Sequence, residues 1–597
     1  MMMKNTLLAF LFILAVPALH AGRDPYIGYL YPSGLQAGST TQILVGGQNL
    51  NGIRAALVSG NGIMIRKITP VPNFPRPDGK QRSYLLDWIR NIENGKPARP
   101  QPPEATDSWR KNPWWEKLDQ LDQLSLSLVI RDLNMRRNPL QASPSIRQMA
   151  IIEIKISPNA APGARELRLW GNQGISPPKL FYVDAAPHIQ EPLYMPPPQQ
   201  PKRKQTPKPP PETPRVESFP TVLDGQILPG ETDRYHLMLK AGQDYTMTLT
   251  GRKLLPFIGD AVPGHFQPVL RLLDPDGAEA VFVDDEYFNP DPILRFTPSK
   301  DGEYTLEVRD NLYRGREDFV YRLLIEPINR PYQFSESSPF PKMLHTDSKI
   351  VRQPLWAETP QVITGTLARK GETATFDFNA RGGTQIVIDV AARRGGSPLD
   401  GVLRVFKPDG TLLAKSDDSA SSLNIGEYLQ QVDPYLKLDI PDNGTYRIEL
   451  SDLTGAGDPN YRYWMRIGPP QLDFEVYTTQ SILNLGPGQT GDLKLRVERT
   501  DQFDEEIEIS CDELELMGST IIPAKATEFT IKLKNPAKRW SPPLTVKFHA
   551  KAKVNGKAIR KEVIPCDEFI QAFAYTHLLP TTDFYLATGS QPRKKRK

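Results

Sequence analysis

The residues best suited to chemistry are aspartates that recur in pairs. Asp274, Asp276, Asp284 and Asp285 crowd one stretch, and Asp409, Asp417 and Asp418 crowd another. Carboxylates are hard oxygen donors, and calcium takes six to eight such oxygens from side chains and loop carbonyls. The spacing therefore offers calcium as a possible cofactor. A second reading stays open beside it. Asp276-Gly277 and Asp409-Gly410 are also the dipeptides that hairpin turns select, because both residues tolerate positive φ.

Catalytic signatures are missing from the sequence. Histidines number seven and are scattered, with no His-Glu-x-x-His and no Gly-x-Ser-x-Gly. No glycine loop for phosphates occurs, so no catalytic residue is assigned and the chain is read as a non-enzyme. Tyr287 and Tyr313 fall near loops and are candidate ligand-binding aromatics. Tyr313 adjoins Arg314-Gly315-Arg316 in an expected turn. Cys511 and Cys566 are the only cysteines. Each ends an alternating stretch, Ile507-Glu-Ile-Ser-Cys511 and Ile564-Pro-Cys566. A disulfide between them would add about 4 kcal/mol in the chain-entropy account, and two buried thiols are the alternative.

These residues must be positioned by an unusual amount of β-structure. One stretch runs Gly225-Gln-Ile-Leu-Pro-Gly230-Glu-Thr-Asp233, Leu273-Asp-Pro-Asp-Gly277, Asp284-Asp285, Asp291-Pro, Asp301-Gly-Glu-Tyr304, Asp310 and Tyr321. A second runs Gly365-Thr-Leu-Ala-Arg-Lys-Gly371-Glu-Thr, Phe406-Lys-Pro-Asp-Gly410, Asp417-Asp418, Asp433-Pro, Asn443-Gly-Thr-Tyr446, Asp452 and Tyr463. The marks keep their order, so one domain is used twice. Period-two alternation with regular turns, as in Tyr304-Thr-Leu-Glu-Val308 and Tyr446-Arg-Ile-Glu-Leu450, predicts sandwiches or jelly rolls. The fold class expected is all-β, with several sandwich domains in tandem.

Boundaries follow from composition. Residues 1–21 read as a signal peptide, with Lys4, an apolar Leu7–Val16 stretch and Ala21 before the cut. An anchor helix is the alternative. No later apolar run is long enough to span a bilayer, so no transmembrane segment is expected after signal removal. Residues 22–187 form a first β-domain with a helical insert at about 78–140, where Leu85, Trp88, Ile89 and Ile92 recur at helical spacing before Gly95. Trp88, Trp109, Trp114 and Trp115 concentrate there, either as packing or as an aromatic docking surface. A Pro-rich linker covers 188–216, the repeats cover 217–328 and 359–469 with a linker at 329–358, an Ig-like sandwich covers 470–575, and a basic tail covers 576–597. Net charge is +4 with both signs interspersed, which gives no field suited to nucleic acid.

The repeats resemble the bacterial pre-peptidase C-terminal domain, on the strength of Pro229-Gly-Glu-Thr-Asp233, Asp-Pro-Asp-Gly277, Asp284-Asp285, Asp301-Gly-Glu-Tyr304 and Tyr321 with their partners. The second copy departs where Ala374-Thr-Phe376 replaces Asp233-Arg-Tyr235. Tyr31-Pro-Ser-Gly-Leu-Gln-Ala-Gly38 and Pro162-Gly-Ala-Arg-Glu-Leu-Arg-Leu169 are similar to the IPT/TIG-like opening domain of secreted planctomycete and verrucomicrobial proteins. The resemblance implies export to the periplasm, cell surface or medium and a non-catalytic role. The expected function is a binding scaffold for protein or polysaccharide of the envelope or extracellular matrix. The alternative is an accessory factor acting with a secreted peptidase.

Overall fold

The computed structural model describes residues 24–73, 78–96, 118–134, 146–193, 213–255, 265–332, 334–335, 339–340, 343–351, 353–419, 423–426, 432–571 and 575–589. The expected signal peptide, most of the Pro-rich stretch, Trp109, Trp114, Trp115 and the final basic residues lie outside them. The chain is all-β, with two α-helices among the described residues.

The first domain holds β1 (Tyr26–Tyr31), β2 (Gly34–Gln36), β3 (Thr40–Gln48), β4 (Ile53–Val58), β5 (Ile63–Val71), β6 (Gln148–Ile156), β7 (Gly163–Gly171), β8 (Gly174–Ile175) and β9 (Lys179–Asp184). One sheet runs β1-β3-β6-β5. The other runs β2-β9-β7-β4. Inward residues such as Ile43, Val45, Ile152, Ile154, Leu167 and Phe181 fill the space between them. The insert forms α1 (Gly79–Glu93) and α2 (Gln123–Asn134). A capping box starts α1: Gln81 N–H donates to Asp78 Oδ1 at 2.8 Å, and Asp78 N–H donates to Gln81 Oε1 at 3.0 Å. Trp88 is buried beside Leu85 and Ile89 in a core shared with α2, Tyr29 and Val320, so this tryptophan packs rather than docks.

The first repeat contains β10 (His188–Gln190), β11 (Arg215–Val216), β12 (Thr221–Gln226), β13 (Asp233–Leu239), β14 (Tyr245–Thr250), β15 (Pro268–Leu273), β16 (Glu279–Val283), β17 (Ile293–Phe296), β18 (Gly302–Asp310) and β19 (Val320–Glu326). The second contains β20 (Leu344–Asp347), β21 (Leu355–Trp356), β22 (Gln361–Thr366), β23 (Thr373–Ala380), β24 (Gln385–Ala391), β25 (Gly401–Phe406), β26 (Leu412–Ser416), β27 (Asn424–Ile425), β28 (Tyr435–Asp439), β29 (Gly444–Asp452) and β30 (Arg462–Gly468). Their sheets correspond strand for strand. The first repeat has β10-β12-β19-β14-β17 against β11-β13-β18-β15-β16, and the second has β20-β22-β30-β24-β28 against β21-β23-β29-β25-β26.

The recurring residues now have physical reasons. Gly225 lies opposite Tyr321, and Gly365 opposite Tyr463. A Cβ on either glycine would fall 2.2 or 2.3 Å from the tyrosine oxygen, so the ring demands a bare backbone across the ladder. Asp291 accepts from the N–H of Arg252 at 2.6 Å and of Lys253 at 3.0 Å. Its counterpart Asp433 accepts from the N–H groups of Ala392, Arg393 and Arg394. These buried carboxylates satisfy loop donors that would otherwise be stranded away from water.

Two expected linkers differ from expectation. The 188–216 segment supplies β10 and β11, and the 329–358 segment supplies β20 and β21, each laid parallel on the sandwich that follows. Residues 575–588 are also not a tail. The last domain holds β31 (Asp473–Thr478), β32 (Ile482–Leu485), β33 (Thr490–Thr500), β34 (Ile507–Cys511), β35 (Leu516–Met517), β36 (Ile521–Ile522), β37 (Glu528–Lys534), β38 (Leu544–Val546), β39 (Phe548–Val554), β40 (Lys557–Glu562), β41 (Cys566–Gln571), β42 (Tyr575–Pro580) and β43 (Phe584–Thr588). Phe584 and Leu586 are core residues, which is why the chain stays ordered past the expected end.

Contacts close the chain on itself. Tyr287 of the first repeat donates to Asp458 of the second at 2.8 Å. Arg466 of the second repeat makes a buried bidentate pair with Asp501 of the last domain, both bonds at 2.8 Å. β27 leaves the second repeat to pair with β42. The last domain then meets the first: Trp170 stacks on Trp540 at 5.0 Å, and Arg168 donates to Ser481 at 2.9 Å. Asn484 exchanges two 2.9 Å bonds with the backbone of Ile175. Gly174 leaves room for that exchange, since a Cβ there would lie 2.3 Å from the Asn484 oxygen.

Candidate functional site

The expected calcium ligands do not form a common site. Asp274 Oδ1 accepts from the N–H groups of Asp276 and Ala278, both at 2.9 Å, which closes the β15–β16 turn. Gly277 has φ 83° there. Asp276 pairs with Lys300. In the second repeat Asp409 Oδ1 accepts from Thr411 N–H at 2.9 Å and Thr411 hydroxyl at 2.6 Å. Asp417 lies 3.8 Å from Lys415, and the Asp418 carbonyl accepts from Ser416. Asp284 and Asp285 are neighbours, and burial followed by the Asp284 charge raises the Asp285 carboxyl. Among the described residues none of these seven joins a convergent group of metal-ligating side chains. Asp274 and Asp409 bond the backbone of their own turns.

The two tyrosines also have other employment. Tyr287, at φ 58°, accepts from Asn460 at 2.9 Å in addition to donating to Asp458, and Tyr332 packs edge-on at 5.0 Å. It fastens the two repeats together. Tyr313 is 56% exposed at φ 55°, and the Arg309 guanidinium covers one face at 4.4 Å. The proposed disulfide is absent: Cys511 and Cys566 are free thiols. Cys511 sits on β34 opposite Phe548, and Cys566 on β41 opposite Pro580, in different sheets.

One group of carboxylates does converge. Ligand atoms of Glu191, Glu231 and Asp233 lie within 4.8 Å of one another. Glu191 follows β10, Glu231 occupies the turn after Gly230, and Asp233 opens β13. Along β13 the residues Asp233, Tyr235, Leu237 and Leu239 all face inward and are buried. Asp233 thus holds a place that the strand pattern reserves for apolar side chains.

The site has few donors for three acids. Tyr321 hydroxyl donates to Asp233 Oδ2 at 2.6 Å and contacts the Tyr235 hydroxyl at 2.7 Å. Gln226 N–H donates to Glu191 Oε2 at 3.1 Å, and Leu228 N–H to Glu231 Oε2 at 2.8 Å. The first domain reaches in with Tyr31, whose hydroxyl donates to the Glu191 carbonyl at 2.5 Å. The insert reaches in with buried Arg131, which donates to Gln226 Oε1 at 3.0 Å. Burial, with backbone donation from Gln226 opposing it and the Glu231 charge adding to it, raises the Glu191 carboxyl to about 7. Burial and the Glu191 charge hold Asp233 well above the carboxylate range, and burial raises Glu231. Such a cluster is relieved by protons or by a cation. All-oxygen ligation suits a hard ion such as calcium, with the tyrosine hydroxyls and nearby carbonyls in reach as further donors.

A neighbouring network is balanced instead. His188 lies 2.6 Å from Asp224 and 3.2 Å from Asp184, and Arg322 pairs with Asp184. Burial alone would lower the His188 imidazole, but hydrogen bonds to Asp184 and Asp224 outweigh it and hold it at about 9. Two acids thus face two cations, whereas among the described residues the triad has only the once-removed Arg131. In the second repeat the register places Ala374 and Phe376 where β13 has Asp233 and Tyr235. The triad therefore belongs to the first repeat alone.

Sequence reading missed Glu191 and Glu231. The readable signal was Asp233, a charge on the inward face of an alternating strand and a point of difference between the copies.

A model of the bacterial pre-peptidase C-terminal domain matches residues 372–452, in the second repeat. No curated protein matches the chain. Among solved structures, the pre-peptidase C-terminal domain of a Bacillus anthracis collagenase is similar at 15% identity, covering 20% of this chain and 99% of that one, with a TM-score of 0.15. A putative secreted protein from Eubacterium rectale is similar at 9% identity, covering 39% and 84%, with a TM-score of 0.18. Fibronectin(III)-like modules of Clostridium thermocellum CbhA are similar at 12% identity, covering 32% and 90%, with a TM-score of 0.12. The chain thus carries a pre-peptidase C-terminal domain within a series of β-sandwiches.

Proposed function

We propose that the protein is an exported, non-catalytic scaffold that binds a protein or polysaccharide of the envelope or extracellular matrix. A hard cation, calcium in the first instance, fixes the junction of its first two domains. The observation that carries this reading is the Glu191–Glu231–Asp233 convergence at a point where Tyr31 of the first domain and Arg131 of the insert also arrive. A cation there ties the two segments, Glu191 after β10 and Glu231–Asp233 entering β13, whose carboxylates otherwise repel. The matched pre-peptidase domain supports an extracellular setting. Among the described residues no helix is long and apolar enough to cross a membrane.

The test is affinity capture on the full chain from secreted and envelope fractions, in calcium and then in chelator. Recovery of a defined protein or glycan in calcium, released by chelator, supports the scaffold. Recovery of a secreted peptidase as the defined partner moves the reading to a peptidase accessory, the role suggested by the name of the matched domain. Substrate turnover by the chain itself contradicts both.

A further inference from the structure

The sandwich of the first domain is open along one flank. β4 ends one of its sheets and β5 ends the other, and the two are consecutive in the chain. They lie side by side, yet among the described residues β4 pairs only with β7 and β5 only with β6. The opposite flank is treated differently, because β1 lies against β12 and β19 of the first repeat. Between β4 and β5 runs a groove of about 390 Å³. Half-buried Ala56, Ile65 and Ile68 line its floor and pack against the core. Its other lining residues include the cations Arg54, Arg66 and Lys67.

Charges on an edge strand often serve only to repel other strands. Two observations point past that role here. An apolar floor lies between the charged rims, where a guarded edge needs none. The ladder of β5 also slips between Ile65 and Lys67, so Arg66 is left out of the pairing with β6. Among the described residues Arg66 pairs with Glu153 at 3.6 Å, and the Arg54 guanidinium lies over the Trp540 ring of the last domain at 4.3 Å, which leaves Arg66 and Lys67 as the groove's outward cations. The volume is that of a small-ligand pocket, about 300–1,000 Å³. Its walls, however, are two backbone edges whose outward N–H and C=O groups no strand pairs among the described residues.

We propose that this flank is a strand-addition site for an extended, acidic segment of a partner protein. The segment pairs its backbone with an edge, sets alternate apolar side chains on the Ala56–Ile65–Ile68 floor, and meets Arg66 and Lys67 with carboxylates. The proposal names a partner class for the scaffold reading and rests on it only for the existence of a partner. The carboxylate triad takes no part, so loss of one leaves the other standing.

The experiment uses the full chain and a fluorescent eight-residue peptide of alternating valine and glutamate. Three controls accompany it: the valine–lysine analogue, the valine–glutamate peptide with alternate amides N-methylated, and dextran sulfate. Anisotropy reports binding, and hydrogen exchange locates it. The expected result is saturable binding of the valine–glutamate peptide, with slowed exchange confined to residues 53–58 and 63–68. Binding falls at least tenfold for both peptide controls, and equally in Arg66→Glu and in Lys67→Glu. Circular dichroism and unchanged exchange in the other domains identify a variant that has merely misfolded; the peptide controls decide the matter without any variant. Absence of protection at β4 and β5 overturns the proposal. So does binding indifferent to N-methylation, or displacement of the peptide by dextran sulfate with the same amides protected, which marks the groove as a polyanion site.

Discussion

Replacing Glu191 with glutamine should stabilise the first repeat in the absence of calcium, although it removes a native carboxylate. The Glu191 carboxyl stands at about 7 instead of its ordinary 4.5. At ~1.4 kcal/mol per pH unit that is a penalty of about 3 kcal/mol when fully expressed. The sign follows from linkage. Below pH 4.5 the carboxyl is protonated in both folded and unfolded chains, and it costs nothing. Between pH 4.5 and 7 the unfolded chain releases its proton while the folded site keeps it, so stability falls as pH rises. Above 7 the loss is complete. Asp233 titrates with Glu191, so the observed steps belong to the pair. A bound cation keeps the carboxylates ionised and removes the penalty. Hydrogen exchange of β12 and β19 amides, read from pH 4.5 to 8.5 with chelator and with calcium, measures this directly. Glu191→Gln should lessen the chelator-state fall between pH 4.5 and 6.5, below the window in which His188 loses its proton, gain up to about 3 kcal/mol at pH 8, and lose the calcium response. A calcium-free profile already flat in the native chain refutes the reasoning, as does a variant less stable than the native chain at pH 8.

Other perturbations bear on the same structure. His188 is raised from 6.5 to about 9, so its contribution of about 3 kcal/mol is full below pH 6.5 and lost as pH passes 9. His188→Gln should therefore weaken protection of β10 and β12 strongly at pH 6 and far less at pH 10, read by hydrogen exchange. Asn484→Ala removes both bonds to Ile175 and should cost the contact between first and last domains about 1–3 kcal/mol, seen in X-ray scattering as a larger radius of gyration. Both thiols should titrate after unfolding without reductant. In the native state at pH 8 Cys511 should react slowly, because burial pushes its thiol up to about 11.

Much of the fold was written in period-two alternation and in turn dipeptides, because those respond to forces within a few residues. Gly277 and Gly410 mark turns with φ 83° each, and their neighbours Asp274 and Asp409 bond the local backbone. That same locality misled the site assignment. An aspartate that closes a turn and one that holds an ion look alike in a sequence. The short parallel strands β10, β11, β20 and β21 were hidden because each exists only by leaning on a sandwich strand further along. Glu191 was hidden for the same reason, since its partners Glu231 and Asp233 lie some forty residues away in sequence, across the Pro-rich segment. Asp233 alone could be suspected from its inward place beside Tyr235.

Calcium calorimetry on the full chain at pH 6.5, repeated in buffers of different ionisation heat, tests the central claim most directly. The account predicts one saturable site with release of protons, because Glu191 and Asp233 must ionise to ligate. Asp233→Asn should abolish that site, and Asp274→Asn and Asp409→Asn should leave it intact. Contradiction would come as no calcium heat at all, or as binding that survives Asp233→Asn and disappears with the turn aspartates.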